Sequence, residues 1–285
     1  MGQEPTRSVP FLLPEPGPEI ELNSLRAIFR RGGAAEFIAP QRLEFDLLYR
    51  VTSGSTIHRV DFIEHRLQRG DMLRVRAGQV HHWGDISHLE GAIALFPVHI
   101  IDVDAEAAPS RFLAQQPSSW SAAELEASGA SAAWESLFAP EPSTMPPARR
   151  SLVRRAALSA LLLRLDFTAV GETVPSPPDS RDETFRWFQA EVDARFRTTH
   201  RVSDYAARLG YSTKSIGRAA RRYGTTPKQV IDARIVLESK RHLVFSTRSI
   251  AELATELGFD DASNFSSFFL HRVGMTPKQF RDSSL

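Results

Sequence analysis

The chain has 285 residues, 42% apolar and 24% charged, which suits two ordinary domains with cores of their own and argues against extensive disorder. It has no cysteine, so disulfides, thiolate zinc sites and cysteine nucleophiles are excluded, and no run reaches the roughly 18 apolar residues of a membrane span. The net charge of +1 hides an asymmetry: from Arg195 onward 16 lysines and arginines face 8 acids, whereas residues 1–194 carry 19 against 26. A basic C-terminal third on an acidic remainder is the footprint of a phosphate-contacting module joined to something else.

In chain order, Met1 to Pro18 lacks a basic stretch followed by an apolar run, so no signal peptide is expected; a cytoplasmic location is the expectation, with which the lack of cysteine is compatible. It reads as part of a proline-rich arm over residues 1–24, with Pro5, Pro10, Pro14, Pro16 and Pro18. Residues 43–101 carry short β-rich runs at Phe45–Val51, His58–Ile63, Met72–Arg76 and Ala92–Ile101. Turn signals at Ser53-Gly54-Ser55, Gly70-Asp71, Ala77-Gly78-Gln79 and Gly84-Asp85 separate them, the spacing of a small sandwich or barrel. Ser121–Phe138 and Ala148–Phe167 read as helices. In the second, Val153, Ala156, Ala160, Leu163 and Phe167 fall at helical spacing, and Leu158, Leu161, Leu162 and Leu165 widen the apolar surface. Such a helix is covered either by its own domain or by a second copy of the chain, and the pattern leaves both open. Residues 171–182, with Pro175, Pro177 and Pro178, form a linker.

Beyond the linker an internal repeat appears. Val202-Ser-Asp204-Tyr-Ala206-Ala-Arg-Leu209-Gly210-Tyr211 returns 48 residues later as Ile250-Ala-Glu252-Leu-Ala254-Thr-Glu-Leu257-Gly258-Phe259. Each copy leads to a similar terminator, Gly224-Thr-Thr226-Pro227-Lys228-Gln229 or Gly274-Met-Thr276-Pro277-Lys278-Gln279. A small alanine lets a second helix cross closely, Leu209 or Leu257 fills the angle, and Gly210 or Gly258 ends the first helix in the left-handed conformation. Ser212 and Asp260 or Asp261 then cap the next helix, with Tyr211 and Phe259 anchoring the turns in the core. The outcome is two helix-turn-helix units, exposing helices Thr213–Tyr223 and Ala262–Val273. Pro227–Phe245 joins them as one helix of about 28 Å, which places two recognition helices near successive major grooves of a duplex.

The first exposed helix offers Thr213, Lys214, Gly217, Arg218, Arg221 and Arg222 to DNA. Lys214 and Arg218, four apart, share a face and are the base-reading candidates, while Arg221 and Arg222 suit phosphate. The second offers Ser263, Asn264, Ser266, Ser267 and His271, a set of hydroxyl, amide and imidazole groups.

Residues from about 183 to 283 resemble the AraC/XylS family of bacterial transcription regulators, most diagnostically from Ile250-Ala-Glu-Leu-Ala through Gly258-Phe259 to Gly274-Met-Thr-Pro-Lys-Gln-Phe280-Arg281. By that resemblance Lys214, Gly217 and Arg218 stand where the family places base-contacting residues. The Gly210–Gly224 segment is one residue shorter than the family usually has, and Ser267 fills a slot that often holds arginine. The resemblance implies promoter DNA, a small-molecule effector, RNA polymerase and a second copy of the chain as partners, with activation the expected sign.

Gly70, Arg76, Gly78, His81 and Asp85 resemble the second motif of cupin barrels, with Arg76 and Asp85 in the proline and asparagine places. Counted from Gly54, the two histidine places of the first motif hold Val60 and Phe62, neither a metal ligand, so no cofactor or metal is expected. His58, His65, His82, His88 and His99 remain but alternate in direction along strands. His81 and Trp83 face one side of a strand and, with Arg50 on a neighbouring one, are the effector-site candidates; ordinary barrel core is the competing reading. The fold class expected is therefore α+β: a cupin-like barrel with a helical extension over 25–170, used for effector binding and dimerisation, and an all-α tandem helix-turn-helix domain over 183–285. The alternative is a cupin-like enzyme, metal-bound or not, fused to a DNA-binding tail.

Overall fold

A computed structural model describes residues 7–10, 19–33, 37–97, 100, 118–168 and 180–284. Most of the proline arm, His99 and linker residues 171–179 lie outside the described residues. The described residues divide into two compact units, one within 6–173 and the other within 174–285.

The first unit is built of strands β1 Arg7–Val9, β2 Glu21–Ser24, β3 Gln41–Leu43, β4 Asp46–Ser53, β5 Ser55–Val60, β6 Ile63–Gln68, β7 Met72–Val75, β8 Val80–His82, β9 Glu90–Phe96 and β10 Ser119–Trp120. Its helices are α1 Leu25–Gly32, α2 Ala122–Ala127, α3 Ala130–Phe138 and α4 Pro147–Thr168. The strands form two five-stranded sheets, β1-β3-β8-β5-β6 and β10-β7-β4-β9-β2, antiparallel except for β1 with β3. The α+β class is as expected, and the β-rich unit takes the two-sheet form: among the described residues no strand pairs across from one sheet to the other, so the barrel is not closed by hydrogen bonds.

Alternation along β4 explains the layering. Leu47, Tyr49 and Val51 point between the sheets, where they meet Leu43, Val60, Leu67, Leu73, Ile93 and Trp83. Leu48 points the other way and packs with Met72, Phe96, Trp120 and the apolar faces of α3 and α4. A strand buried on both sides reads as an unbroken apolar run, and Leu47-Leu48-Tyr49 is one.

Two expected elements are corrected. The run His58–Ile63 contains the β5–β6 hairpin turn, because Asp61 adopts φ 54° and its carboxylate accepts from Val80 N at 3.1 Å and Gln79 Nε2 at 3.1 Å. The helix Ser121–Phe138 breaks at Gly129, whose left-handed φ of 70° strains any side chain, and the Arg164 guanidinium donates to Ser128 O at 3.0 Å beside it.

The second unit is all helix: α5 Ser180–Arg195, α6 Val202–Leu209, α7 Thr213–Arg222, α8 Pro227–Phe245, α9 Ile250–Glu256, α10 Ala262–Val273 and α11 Pro277–Ser284. Helix α5 begins inside the expected linker, at Ser180. One apolar core serves both repeats, with Phe185 and Phe188 of α5, Ile216 of α7, Ile231 and Ile235 of α8, Leu253 of α9 and Phe265 and Phe269 of α10. Thr226 and Gln229 form a capping box that starts α8 with proline in its first turn.

In the sandwich, Arg74 and Asp46 form an ion pair with both side chains almost without exposure, and Asp46 also accepts from Ala77 N at 2.9 Å. Asp46→Ala strands a desolvated guanidinium and should lower the unfolding free energy by about 3–5 kcal/mol in urea titrations. A loss below about 1 kcal/mol would show that water reaches Arg74.

Candidate nucleic-acid interface

Both helix-turn-helix units are assembled as their residue types require, but with different rigidity. Ala206 and Ala254 are buried at the helix crossings, and Leu257 fills its angle completely, whereas Leu209 is only half-buried. Ser212 accepts from Ser215 N at 3.0 Å to cap α7, and Asp261, not Asp260, accepts from Asn264 N at 2.7 Å to cap α10. Gly210 and Gly258 both sit at positive φ. A Cβ on Gly210 would meet open space, while one on Gly258 would stand 2.2 Å from the Arg197 carbonyl oxygen. The second turn is therefore clamped by the α5–α6 loop, where His200 Nε2 also donates to Leu257 O at 2.8 Å. Burial holds the His200 pKa below its ordinary value, consistent with a neutral donor.

Tyr211 departs from expectation: it stays 37% exposed rather than anchoring its turn. Its counterpart Phe259 is packed, with rings of His200, Phe265 and Phe268 at 4.9, 5.4 and 5.1 Å.

On α7, Thr213, Lys214, Arg218, Arg221 and Arg222 are all exposed. Gly217 lies one turn from Thr213, and a Cβ there would have nothing within 4 Å. That leaves the helix backbone itself open to close approach. On α10, Ser263, Asn264, Ser267 and His271 are exposed, as is Leu270. Ser266 is half-buried and its hydroxyl donates to Ala262 O at 2.7 Å, and Asn264 Nδ2 donates to Asp261 Oδ2 at 3.2 Å.

The supporting charges went unseen in the sequence. Glu238 of α8 has no exposure and is surrounded by Arg197 at 2.8 Å, Arg234 and Arg241 at 3.1 Å, and His242. Asp232, also buried, is a close ion pair of Lys228 at 2.7 Å and of Arg272 on α10 at 2.5 Å. Acids on α8 spaced six apart gave no signal of burial, because which face of a long helix is covered depends on helices far away in sequence.

The effector-site candidates are split. His81 and Trp83 come together between the sheets, ring centroids 5.4 Å apart, but Arg50 points to the opposite face of its sheet. There it meets Glu135 at 3.1 Å, Ser131 Oγ at 3.2 Å and Gly70 O at 3.3 Å, so it fastens α3 to β4. Trp83 touches Phe29, Phe37, Tyr49 and His58 and donates to Gln41 Oε1 at 3.3 Å. Tyr49 and His58 join this group without having been effector-site candidates; inward alternation on β4 and β5 is the signal that locates them.

A polar ladder runs through the aromatic group. The Tyr49 hydroxyl lies 3.1 Å from His58 Nδ1, and His58 Nε2 lies 3.0 Å from His81 Nδ1. Each neutral imidazole has one proton, so if Tyr49 donates, the chain ends on His81 Nε2, which is buried with no hydrogen-bond partner. Among the described residues no group of three or more histidines, aspartates or glutamates is disposed to hold a metal.

Burial pushes His81 down to about 3, with the neighbouring His82 acting in the same direction and Asp61 against it. Burial, then the charges of His81, His65 and His82, holds His58 well below its usual range. Both folded values lie below the ordinary value of about 6.5, so the unfolded chain takes up protons first as pH falls. The stability these groups contribute is complete above about pH 6.5 and is lost progressively toward pH 3. Urea midpoints should fall between about pH 7.5 and 5, and less steeply in His81→Leu; an unchanged slope in that variant would place the titration elsewhere.

Residues 205–283 match the family model described as "Helix-turn-helix domain". The helical unit thus holds a domain of the helix-turn-helix class. Two such units stand in tandem, joined by one long helix. No curated protein matches the chain. Among solved structures it is similar to ToxT from Vibrio cholerae O395, with 9% identity, 93% of this chain and 97% of that chain covered, and a TM-score of 0.41. A Vibrio cholerae ToxT structure with a bound unsaturated fatty acid gives 10% identity, coverages of 92% and 94%, and a TM-score of 0.39. The DNA-binding domain of AdpA in complex with a target DNA gives 25% identity over 37% of this chain and 93% of that one, with a TM-score of 0.31. Among the described residues no helix is long and apolar enough to cross a membrane.

Proposed function

We propose that the protein regulates transcription by binding promoter DNA through the tandem unit and a small-molecule effector through the β-rich unit. The observation that carries the DNA reading is α7: Lys214 and Arg218 project together from an exposed helix beside the open backbone of Gly217. Their reach and charge fit guanine O6 and N7 in a major groove, with Arg221 and Arg222 against phosphate. Promoter DNA and RNA polymerase are the macromolecular partners assigned by this reading, and the cytoplasm its location.

The effector reading is supported by the unpartnered His81 Nε2 inside a ring of aromatic side chains. A buried polar atom left unpaired costs about 1–3 kcal/mol, which a ligand hydroxyl or carbonyl would recover. The dimer reading is supported by α4. Its Leu158, Leu161, Leu162 and Leu165 are buried against the sheet, yet Leu152, Val153 and Leu163 are 64%, 39% and 44% exposed, with Ala156 and Ala160 between them. Val153, Ala156, Ala160 and Leu163 follow the three-and-four spacing of a helix–helix seam, and a second copy of α4 would bury it.

In binding titrations Arg218→Ala should lose about 1–3 kcal/mol on the preferred duplex and relax preference at one base position. Equal loss on every sequence would make Arg218 a phosphate contact, and no salt-sensitive affinity for any duplex would end the DNA reading. Val153→Glu with Leu163→Glu should turn a dimer into a monomer in sedimentation at micromolar concentration; a wild-type monomer there would end the dimer reading.

A further inference from the structure

The two repeats share a design but not a charge. Residues 202–226 hold five lysines and arginines against one aspartate, whereas residues 250–276 hold one arginine against four acids. The lone Arg272 is tied inward to the buried Asp232. Two of the four acids, Asp260 and Asp261, are exposed at the very start of α10, and its other exposed residues are Ser263, Asn264, Ser267, Leu270, His271 and the paired Arg272.

The caps sharpen the contrast. Helix α7 is capped by a neutral serine, so its positive end and its cations act on phosphate together. Helix α10 is capped by a carboxylate, which spends that end of the helix dipole internally and leaves a second carboxylate beside it. The phosphate charge of any duplex therefore attracts the first unit and repels the exposed start of α10.

We propose that Asp260 and Asp261 make docking of the second unit conditional on sequence, adding discrimination to the base contacts of Lys214 and Arg218, an inference that rests on the DNA-binding reading above. On arbitrary DNA, α7 holds the duplex while α10 is kept from the groove. It docks only where base edges repay the repulsion. Asp261 is committed to the α10 cap through Asn264 N and Nδ2, so Asp260 is the side chain available to the bases. An exposed carboxylate accepts hydrogen bonds only, so its matching partner is an exocyclic amino group in the major groove, cytosine N4 foremost.

The test uses the full-length protein, a labelled duplex pool of random sequence, and the sequence that wild type enriches from that pool. Asp260→Asn, at an exposed position outside the cap, and the double variant with Asp261→Asn, which still caps, both keep the fold. Random-pool affinity should rise about 1.4-fold per charge removed for each phosphate near one Debye length, or roughly threefold where three phosphates lie within that range. The ratio of enriched to random affinity should fall, and sequences selected by Asp260→Asn should lose the preference at one base pair. Glu126→Gln, the same charge change on α2, should leave random-pool affinity as it was. Unaltered random-pool affinity and ratio in both variants would overturn the proposal even with wild type binding DNA, as would equal tightening in Glu126→Gln. Absence of wild-type binding to every duplex would instead overturn the DNA reading beneath it.

Discussion

A carboxylate with no access to water cannot stay ionised without cations, and Glu238 meets that condition by drawing in the helices around it. Arg234 and Arg241 come from α8 itself, and Arg197 from the chain just after α5. Arg234 also pairs with Asp193 at 2.9 Å and lies 3.9 Å over the Phe196 ring, so α5 is held to α8 through both charge and aromatic face. Arg197 is then in place for its carbonyl to press on Gly258, and His200, three residues on, to bond Leu257. The long helix is thus more than a spacer between two independent units. It is the wall that both share, and the α5–α6 loop ties the first repeat to the turn of the second.

That sharing lets two similar motifs diverge. The first turn, with Gly210 in open space and Tyr211 exposed, is held by fewer tertiary contacts than the second. Its exposed helix carries the cations. The second is clamped at Gly258 and at Asp232–Arg272, and its exposed helix is nearly free of positive charge. Rigidity where contacts are short-range hydrogen bonds, and charge where they are long-range, is a physically coherent division within one core.

The β-rich unit is organised by a sheet buried on both faces. Between the sheets Tyr49, His58, His81 and Trp83 form one aromatic group, while Leu48 and Arg50 on the other face of β4 serve the helical layer. The two histidines are kept neutral by burial, so the interior presents hydrogen-bonding groups without charge. Arg50 shows why strand parity decides a site: one residue's offset from Tyr49 sends its guanidinium away from the aromatic group and onto α3.

The amino-acid sequence by itself determined what local chemistry can specify. The repeat at offset 48, the glycine stops, the Ser212 cap and the Thr226-Pro227 start of α8 located the helices of the tandem unit from α6 to α10, because periodicity, caps and turn residues act within a few positions; α11 was legible only as a terminator. Only the tertiary structure decided the rest. The turn at Asp61 depends on Gln79 and Val80, the break at Gly129 on Arg164, and the choice of Asp261 over Asp260 as cap on how the second turn is held. The burial of Glu238 and Asp232 was equally hidden, since a charge becomes interior only when partners from distant segments close around it, and no spacing along the chain encodes that closure.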